Sequence, residues 1–146
     1  MIGLLQRVSS ASVSVDGAEI AAIRRGILVL VGVQRDDAEP QAERLLERLL
    51  SYRVFPDAQG RMNRSLREVN GGLLLVPQFT LAADTQKGTR AGFSTAAEPA
   101  WAKFLFEHLR VRAQQEWSHT VSGVFGADMK VSLVNDGPVT FWLEAN

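Results

Sequence analysis

Few side chains in this sequence combine the type and spacing that catalysis needs. There are two histidines, His108 and His119, and no cysteine. A thiolate nucleophile, a disulfide and a Cys-based zinc or iron–sulfur site are therefore excluded. The chain has no His-Glu-x-x-His, no Gly-x-Ser-x-Gly, no Walker A loop and no Gly-x-Gly-x-x-Gly. The usual α/β-hydrolase nucleophile is missing, and nucleotide use finds no support. His108 falls on an apolar helical stripe and reads as a partly buried, hydrogen-bonded side chain rather than a general base. His119, beside Trp117, lies between a helix and a strand. Asp36, Asp37 and Glu39 open a helix, where capping and the helix dipole account for them. Asp84, Asp128 and Asp136 are candidates for positioning groups, but no two carboxylates mark themselves as an acid/base couple. No metal or cofactor is expected.

What remains is polar chemistry at the ends of strands. Val76-Pro77-Gln78-Phe79-Thr80-Leu81 interrupts an apolar strand with an amide and a hydroxyl. Asn135-Asp136-Gly137-Pro138-Val139-Thr140 reads as a turn before a final strand, since Asn, Asp, Gly and Pro dominate turns for conformational reasons. Its Gly-Pro bond is also a candidate for the cis form. A third segment, Asp84 to Arg90, is polar, and its Lys87 and Arg90 read either as phosphate contacts or as a solvated loop.

The elements that must position these segments fit one domain, residues 1–146, with apolar residues at 46% and charged residues at 22%. Val8, Ala11, Val13 and Val15 alternate roughly as a strand does, before an Asp16-Gly17 turn. Glu19 to Ile23 and Ile27 to Val31 follow as strands, the second apolar on both faces and so central in a sheet. Asp36 or Asp37 offers an N-cap for a helix over 38–53, in which Leu45, Leu46, Leu49 and Leu50 recur at helical spacing. Residues 55–60 are turn chemistry. Leu73 to Val76 is another buried strand, residues 82–96 form a loop, and Pro99 starts a second helix. There Trp101, Phe104, Leu105, His108 and Leu109 make one stripe. Thr120 to Leu143 returns to strands. The expected class is α/β: a single compact domain with mixed, barrel-like β-sheets covered on one side by two main helices.

Sixteen basic residues balance sixteen acidic ones, so any nucleic-acid contact must come from a local patch. The N-terminus does not read as a signal peptide, and the longest apolar run, Ile27 to Val33, is too short to span a membrane. A cytoplasmic protein with no membrane partner is expected.

The sequence resembles the D-aminoacyl-tRNA deacylases over nearly its whole length. The resemblance is carried by Gln6-Arg7-Val8, Phe55-Pro56-Asp57, Met62-Asn63-Arg64-Ser65-Leu66, Gln78-Phe79-Thr80-Leu81-Ala82-Ala83-Asp84-Thr85, Phe125-Gly126-Ala127 with Met129, and Asn135 to Thr140. It implies hydrolysis of the ester between a D-amino acid, or glycine, and the terminal adenosine of tRNA. It also implies a homodimer with its active site at the subunit interface. In that family Gly137-Pro138 would be cis and enter the partner's pocket, excluding L-amino acids, with Arg7 fixing the orientation of their carbonyls. Peptide N–H groups near Gln78 and Phe79 would stabilise the oxyanion, Thr80 would order the pocket, and the substrate's 2′-hydroxyl would assist attack by water. Pro77, Phe125, Met129 and Thr140 are carried over as substrate-binding positions, with core packing an open alternative for Phe125 and Met129. Many relatives carry Ser where this chain has Pro77, so no serine nucleophile operates at that position. A related group of proofreading enzymes with Pro here is less strict towards small L-amino acids. A non-catalytic protein that binds tRNA ends, and a hydrolase of small D-amino-acid esters, are the competing readings.

Overall fold

A computed structural model describes residues 1–146. Its elements are β1 (Ile2–Val15), β2 (Ala18–Ile23), β3 (Gly26–Gly32), α1 (Glu39–Ser51), β4 (Phe55–Pro56), β5 (Met62–Arg64), α2 (Leu66–Val69) and β6 (Gly72–Pro77). A 3-10 turn (Phe79–Ala82), α3 (Pro99–Glu116), β7 (Thr120–Ser122) and β8 (Met129–Glu144) complete the chain.

β1 is the spine. Its first half pairs with β3 and its second with β2, while β8 runs antiparallel to it along nearly its whole length. The β1–β2 turn is made by Asp16 and Gly17, both at positive φ (51° and 79°), the geometry whose twist matches a two-residue hairpin. β6 lies parallel to β3, and β7 parallel to β6. The mixed sheet curls, bringing β2 against β6 and β7 and nearly closing a barrel.

Because successive strand residues face opposite ways, β3 serves two cores. Ile27, Val29 and Val31 pack with Leu45, Leu46, Leu49 and Leu50 of α1 and with Leu105, Phe106 and Leu109 of α3. Leu28 instead joins Val8, Val13, Leu74 and Val76 inside the curl, where Met129, Val131 and Leu133 of β8 cover them. The two main helices thus lie on one side of the sheet, as expected, and no helix is long and apolar enough to cross a membrane.

Several local expectations are corrected. β1 begins at Ile2, well before Val8. The N-cap of α1 is Ala38, whose N–H donates to Gln41 Oε1 at 2.9 Å. Asp37 is buried instead, taking the Met1 α-ammonium and the Gln34 N–H on its carboxylate. The buried face of α3 is Ala102, Leu105, Phe106, Leu109 and Ala113; Trp101 and Phe104 stack on each other outside it. Those two aromatics follow the helical period one residue too early to reach the core. His108 is half-buried and meets Glu43 at 2.8 Å. There burial pushes the Glu43 carboxyl up, but hydrogen bonds from Arg112 and His108 outweigh it and hold that carboxyl below its ordinary range.

Most relevant to function, Asn135–Thr140 does not precede a separate last strand. β8 is one strand of 16 residues, and the segment is a bulge within it. Gln6 of β1 pairs with Thr140 and Val8 with Asn135, so four residues of β8 loop out opposite Arg7 alone.

Candidate active site

β6 ends at Pro77 because proline lacks the N–H that would continue its ladder. The chain then folds into the 3-10 turn. The Gln78 N–H donates to Val31 O at 2.8 Å, and Gln78 O accepts from the Leu81 N–H at 3.2 Å. The first two N–H groups of a 3-10 turn have no acceptor within it. No turn, loop, cap or side chain supplies one for Phe79 or Thr80. Two adjacent backbone donors are therefore left free, while the Gln78 donor is spent on β3. The Gln78 side chain donates to Thr80 Oγ1 at 2.6 Å, turning that hydroxyl's own proton outwards.

The turn walls a cleft of about 830 Å³, within the size range of small-molecule sites. Val76 to Phe79 form one side, Ala96 to Ala102 another, and Phe125 to Met129 with Val131 a third. Phe79, at 58% exposure, pairs with Phe93 on the rim with ring centroids 5.2 Å apart. Phe125 is half-buried and reaches both the cleft and the Phe106 ring of α3, 6.4 Å away. Met129 fits beside Gly123, where a Cβ would stand 2.6 Å from its sulfur. Both residues hence pack against the domain and line the cleft. The charged residues on the cleft are Arg35, Glu98 and Asp128, and none is a partner of the Gln78–Thr80 turn. The three carboxyls held below their usual range, Glu43, Asp57 and Glu68, lie elsewhere. Such a cleft can stabilise a developing oxyanion with peptide donors, but it holds no nucleophile–base pair of its own.

The β8 bulge is held by side chains at both ends. Asn135 staples it: Oδ1 accepts from the Val139 N–H at 2.7 Å, and Nδ2 donates to Thr140 Oγ1 at 2.9 Å and to Val139 O at 3.3 Å. From below, Arg7 Nε donates to Asp136 O at 2.8 Å and Nη1 to Val54 O at 2.7 Å, with its side chain only 13% exposed. The carbonyl that Arg7 fixes is thus that of Asp136, one residue before the Gly-Pro pair. Between these anchors Gly137 sits at φ +143° and the Gly137–Pro138 peptide is cis. A Cβ on Gly137 would stand 2.7 Å from Val139 Cγ2 and 3.1 Å from Arg7 Nη2.

Within one chain the two segments do not meet. Gly137 and Pro138 are exposed and absent from the cleft lining. Six residue steps along β8, about 20 Å of strand, separate Val131 on the cleft wall from Gly137. Thr140 belongs to the bulge rather than the cleft. Lys87 and Arg90 are exposed in the loop closed by the Asp84–Gly92 bridge, and neither makes an ion pair. Asn135 is the residue whose role the sequence reading missed. Its signal was available: an Asn four residues before a free N–H in a turn-rich segment is a typical local staple.

Comparison with known proteins adds to this geometry. The family described as D-Tyr-tRNA(Tyr) deacylase matches residues 4–144. A protein of Alkalilimnicola ehrlichii named D-aminoacyl-tRNA deacylase is 62% identical over 145 residues, covering 99% of this chain and 97% of its own. Another of that name, from Thioalkalivibrio sulfidiphilus, is 63% identical over 144 residues, with the same coverage. Among solved structures, one titled c-Myc DNA Unwinding Element Binding Protein superposes with a TM-score of 0.95 at 35% identity, covering 100% of this chain and 99% of that one. A probable eukaryotic D-amino acid tRNA deacylase, at 18% identity and a TM-score of 0.80 over 98% of both chains, shares the fold. With residues 4–144 and both unusual segments inside the match, the chain belongs to the D-Tyr-tRNA(Tyr) deacylase family.

Proposed function

We propose that this protein hydrolyses the ester joining a D-amino acid, or glycine, to the terminal adenosine of tRNA. The observation that carries the proposal is the pair of free Phe79 and Thr80 N–H groups at the edge of a largely apolar cleft, which Gln78 and Phe79 line and which holds no nucleophile–base pair. An aminoacyl ester is already activated. Water can attack it with help from the neighbouring ribose 2′-hydroxyl, and the enzyme's main task is to hold the charge that develops on the carbonyl oxygen. The spent Gln78 N–H moves this role one residue later than Gln78 itself. The Gln78 amide, by contrast, orients the Thr80 hydroxyl.

Chiral selection is assigned to the bulge of a second chain. Its Gly137 and Pro138 carbonyls would occupy the space an L side chain needs, leaving room for hydrogen or a D side chain. Support for a second chain comes from the 20 Å or so of strand between bulge and cleft and from β8 itself. β8 has a strand neighbour on one edge alone, and Trp142 and Val134 on it are 52% and 56% exposed. A long edge strand with exposed apolar residues is a surface that wants a partner. In this reading Lys87 and Arg90 contact tRNA phosphates, and the protein works in the cytoplasm.

Incubating the purified protein with D-Tyr-tRNA, L-Tyr-tRNA and D-tyrosine methyl ester tests the assignment. Fast release of D-tyrosine from tRNA, with the other two esters persisting, is expected. The DNA-binding title of the 35%-identical structure favours a second reading, a nucleic-acid-binding protein without catalysis. That reading predicts intact D-Tyr-tRNA in a stable complex. L-Ala-tRNA included in the same assay reports whether Pro77 goes with relaxed chirality.

A further inference from the structure

A second concave surface lies away from the cleft, where the end of α1 meets β5. It is lined by Arg44, Arg48, Arg53, Ser51, Tyr52 and Asn63, together with Met62, and has a volume of about 460 Å³. Three arginines line it and no carboxylate is among its lining residues. Two of the three are held in place. Arg44 pairs with Glu47 at 2.6 Å, and Arg48 donates to Glu144 O at 2.9 Å while its guanidinium lies 5.7 Å from the Tyr52 ring centre. Arg53 is exposed, with neither a hydrogen bond nor an ion pair. The carboxylates nearby are Glu47 on Arg44, Asp57 on Asn63 and Glu68, which feels the charge of Arg53; none of the three lines the concavity, whose own charged groups are all arginines.

Two of the neutral side-chain donors are already committed. The Ser51 hydroxyl donates to Glu47 O at 2.7 Å, and Asn63 Nδ2 donates to Asp57 Oδ2 at 2.8 Å. What faces solvent is therefore spread positive charge, not a ring of converging neutral donors. That chemistry suits a polyanion better than one small anion. Its location is equally specific. The Tyr52 ring packs on Phe141, 5.7 Å between centroids, one residue beyond the Asn135–Thr140 bulge. Val54, two residues on from Tyr52, offers its carbonyl to Arg7, the anchor of that same bulge.

We infer that the Arg44–Arg48–Arg53 concavity is a docking site for the phosphodiester backbone of tRNA. This rests on the proposed function: if the bulge of one subunit enters the cleft of its partner, the concavity beside the bulge flanks the partner's active site. A tRNA whose end is buried in one subunit's cleft then lays its backbone across the other subunit's arginines. The concavity contributes affinity and orientation for long RNA and nothing to the chemistry at the ester.

The test is the double variant R44Q/R53Q, in which neither replaced side chain is buried. Filter binding of uncharged tRNA across a salt series should show affinity about 10-fold weaker at 0.1 M salt. The slope of log K against log[salt] should be shallower by about 1.4 to 1.8, the value for two lost phosphate contacts. On D-Tyr-tRNA, KM should rise by a similar factor with kcat unchanged, and turnover of D-tyrosyl-adenosine, which lacks the backbone, should equal that of wild type. Unchanged tRNA affinity and salt slope would overturn the inference, as would an equal loss on D-tyrosyl-adenosine. Should wild type leave D-Tyr-tRNA intact, the proposed function fails, while the binding series still decides the concavity on its own. R53Q alone, at a side chain without a bonded partner, guards against a folding defect: it should give about half the change in slope.

Discussion

The Gln78–Thr80 turn and the Asn135–Thr140 bulge both interrupt a strand, yet they offer opposite chemistry. The turn ends β6 and leaves two N–H donors free, because a 3-10 start cannot satisfy them. In the bulge, strand pairing continues on both sides, and bonds from Arg7 and Asn135 to the Asp136 and Val139 carbonyls flank the exposed Gly137–Pro138 pair. Their anchoring differs too. The turn has one side-chain bond within it, Gln78 to Thr80, whereas Asn135 and Arg7 tie the bulge at three of its peptide groups. Donors suit a fleeting oxyanion, which any tetrahedral intermediate presents. Acceptors and bulk at a fixed place suit a filter, which must refuse a wrong substrate before chemistry begins. A filter that gave way would lose its selectivity, so the proposal gives discrimination to the more firmly tied half.

Substitutions can separate these two roles. The largest effect is expected from Gly137→Val, since φ +143° and the close Val139 and Arg7 atoms leave no room for a side chain. The bulge must rearrange, and D-Tyr-tRNA turnover should fall about 100-fold or more, the usual result of displacing a positioned group by an ångström. Normal rates with that variant would remove the bulge from the site. Asn135→Ala should come next. It strips the acceptor from the Val139 N–H and should cost about 1–3 kcal/mol in thermal or urea unfolding. The accompanying change should lie in the ratio of D- to L-Tyr-tRNA rates more than in the D rate alone. A variant slowed equally on both esters would mean that Asn135 supports chemistry instead of selection.

The turn should respond in the other way. Gln78→Ala leaves the backbone donors in place and frees Thr80, so kcat should drop by a factor of about 5, as one lost hydrogen bond implies, with the D/L ratio unchanged. Smallest of all is Pro77→Ser. Pro77 is half-buried on the cleft wall, but the oxyanion donors come after it and serine is no bulkier, so the rate should stay within about twofold. A large gain would bring a serine hydroxyl back into the mechanism.

How far the sequence revealed this arrangement depended on the kind of signal. Strands and helices whose apolar period matches their burial, such as Ile27–Val31 and Leu45–Leu50, were legible because side-chain periodicity is what buries them. The α3 stripe misled because Trp101 and Phe104 are as apolar as core residues yet stack with each other outside. The bulge was hidden for a different reason. Asn, Asp, Gly and Pro signal a change of chain direction, and nothing local says whether the strand ends there or resumes in register with Val8 and Gln6 on a strand more than 120 residues away. The same holds for the Gln78 N–H, whose partner Val31 belongs to another strand. The resemblance pointed to these two segments. It did not show which peptide groups remain free, because that depends on long-range pairing.

Complementation between two defective chains tests the central claim, that a cleft and a bulge from different subunits form one site. Thr80→Trp crowds the turn that carries the free N–H groups at the cleft edge and leaves the bulge intact; Gly137→Val disrupts the bulge and leaves the turn intact. Each alone should be nearly inactive on D-Tyr-tRNA. Unfolded together at equal amounts and refolded, half the dimers carry one chain of each kind, and each of those holds one site with both parts intact. Activity should return to about a quarter of the wild-type value. A mixture as inactive as its components, with dimers confirmed to have exchanged, would contradict the shared site and place both segments' roles within a single chain.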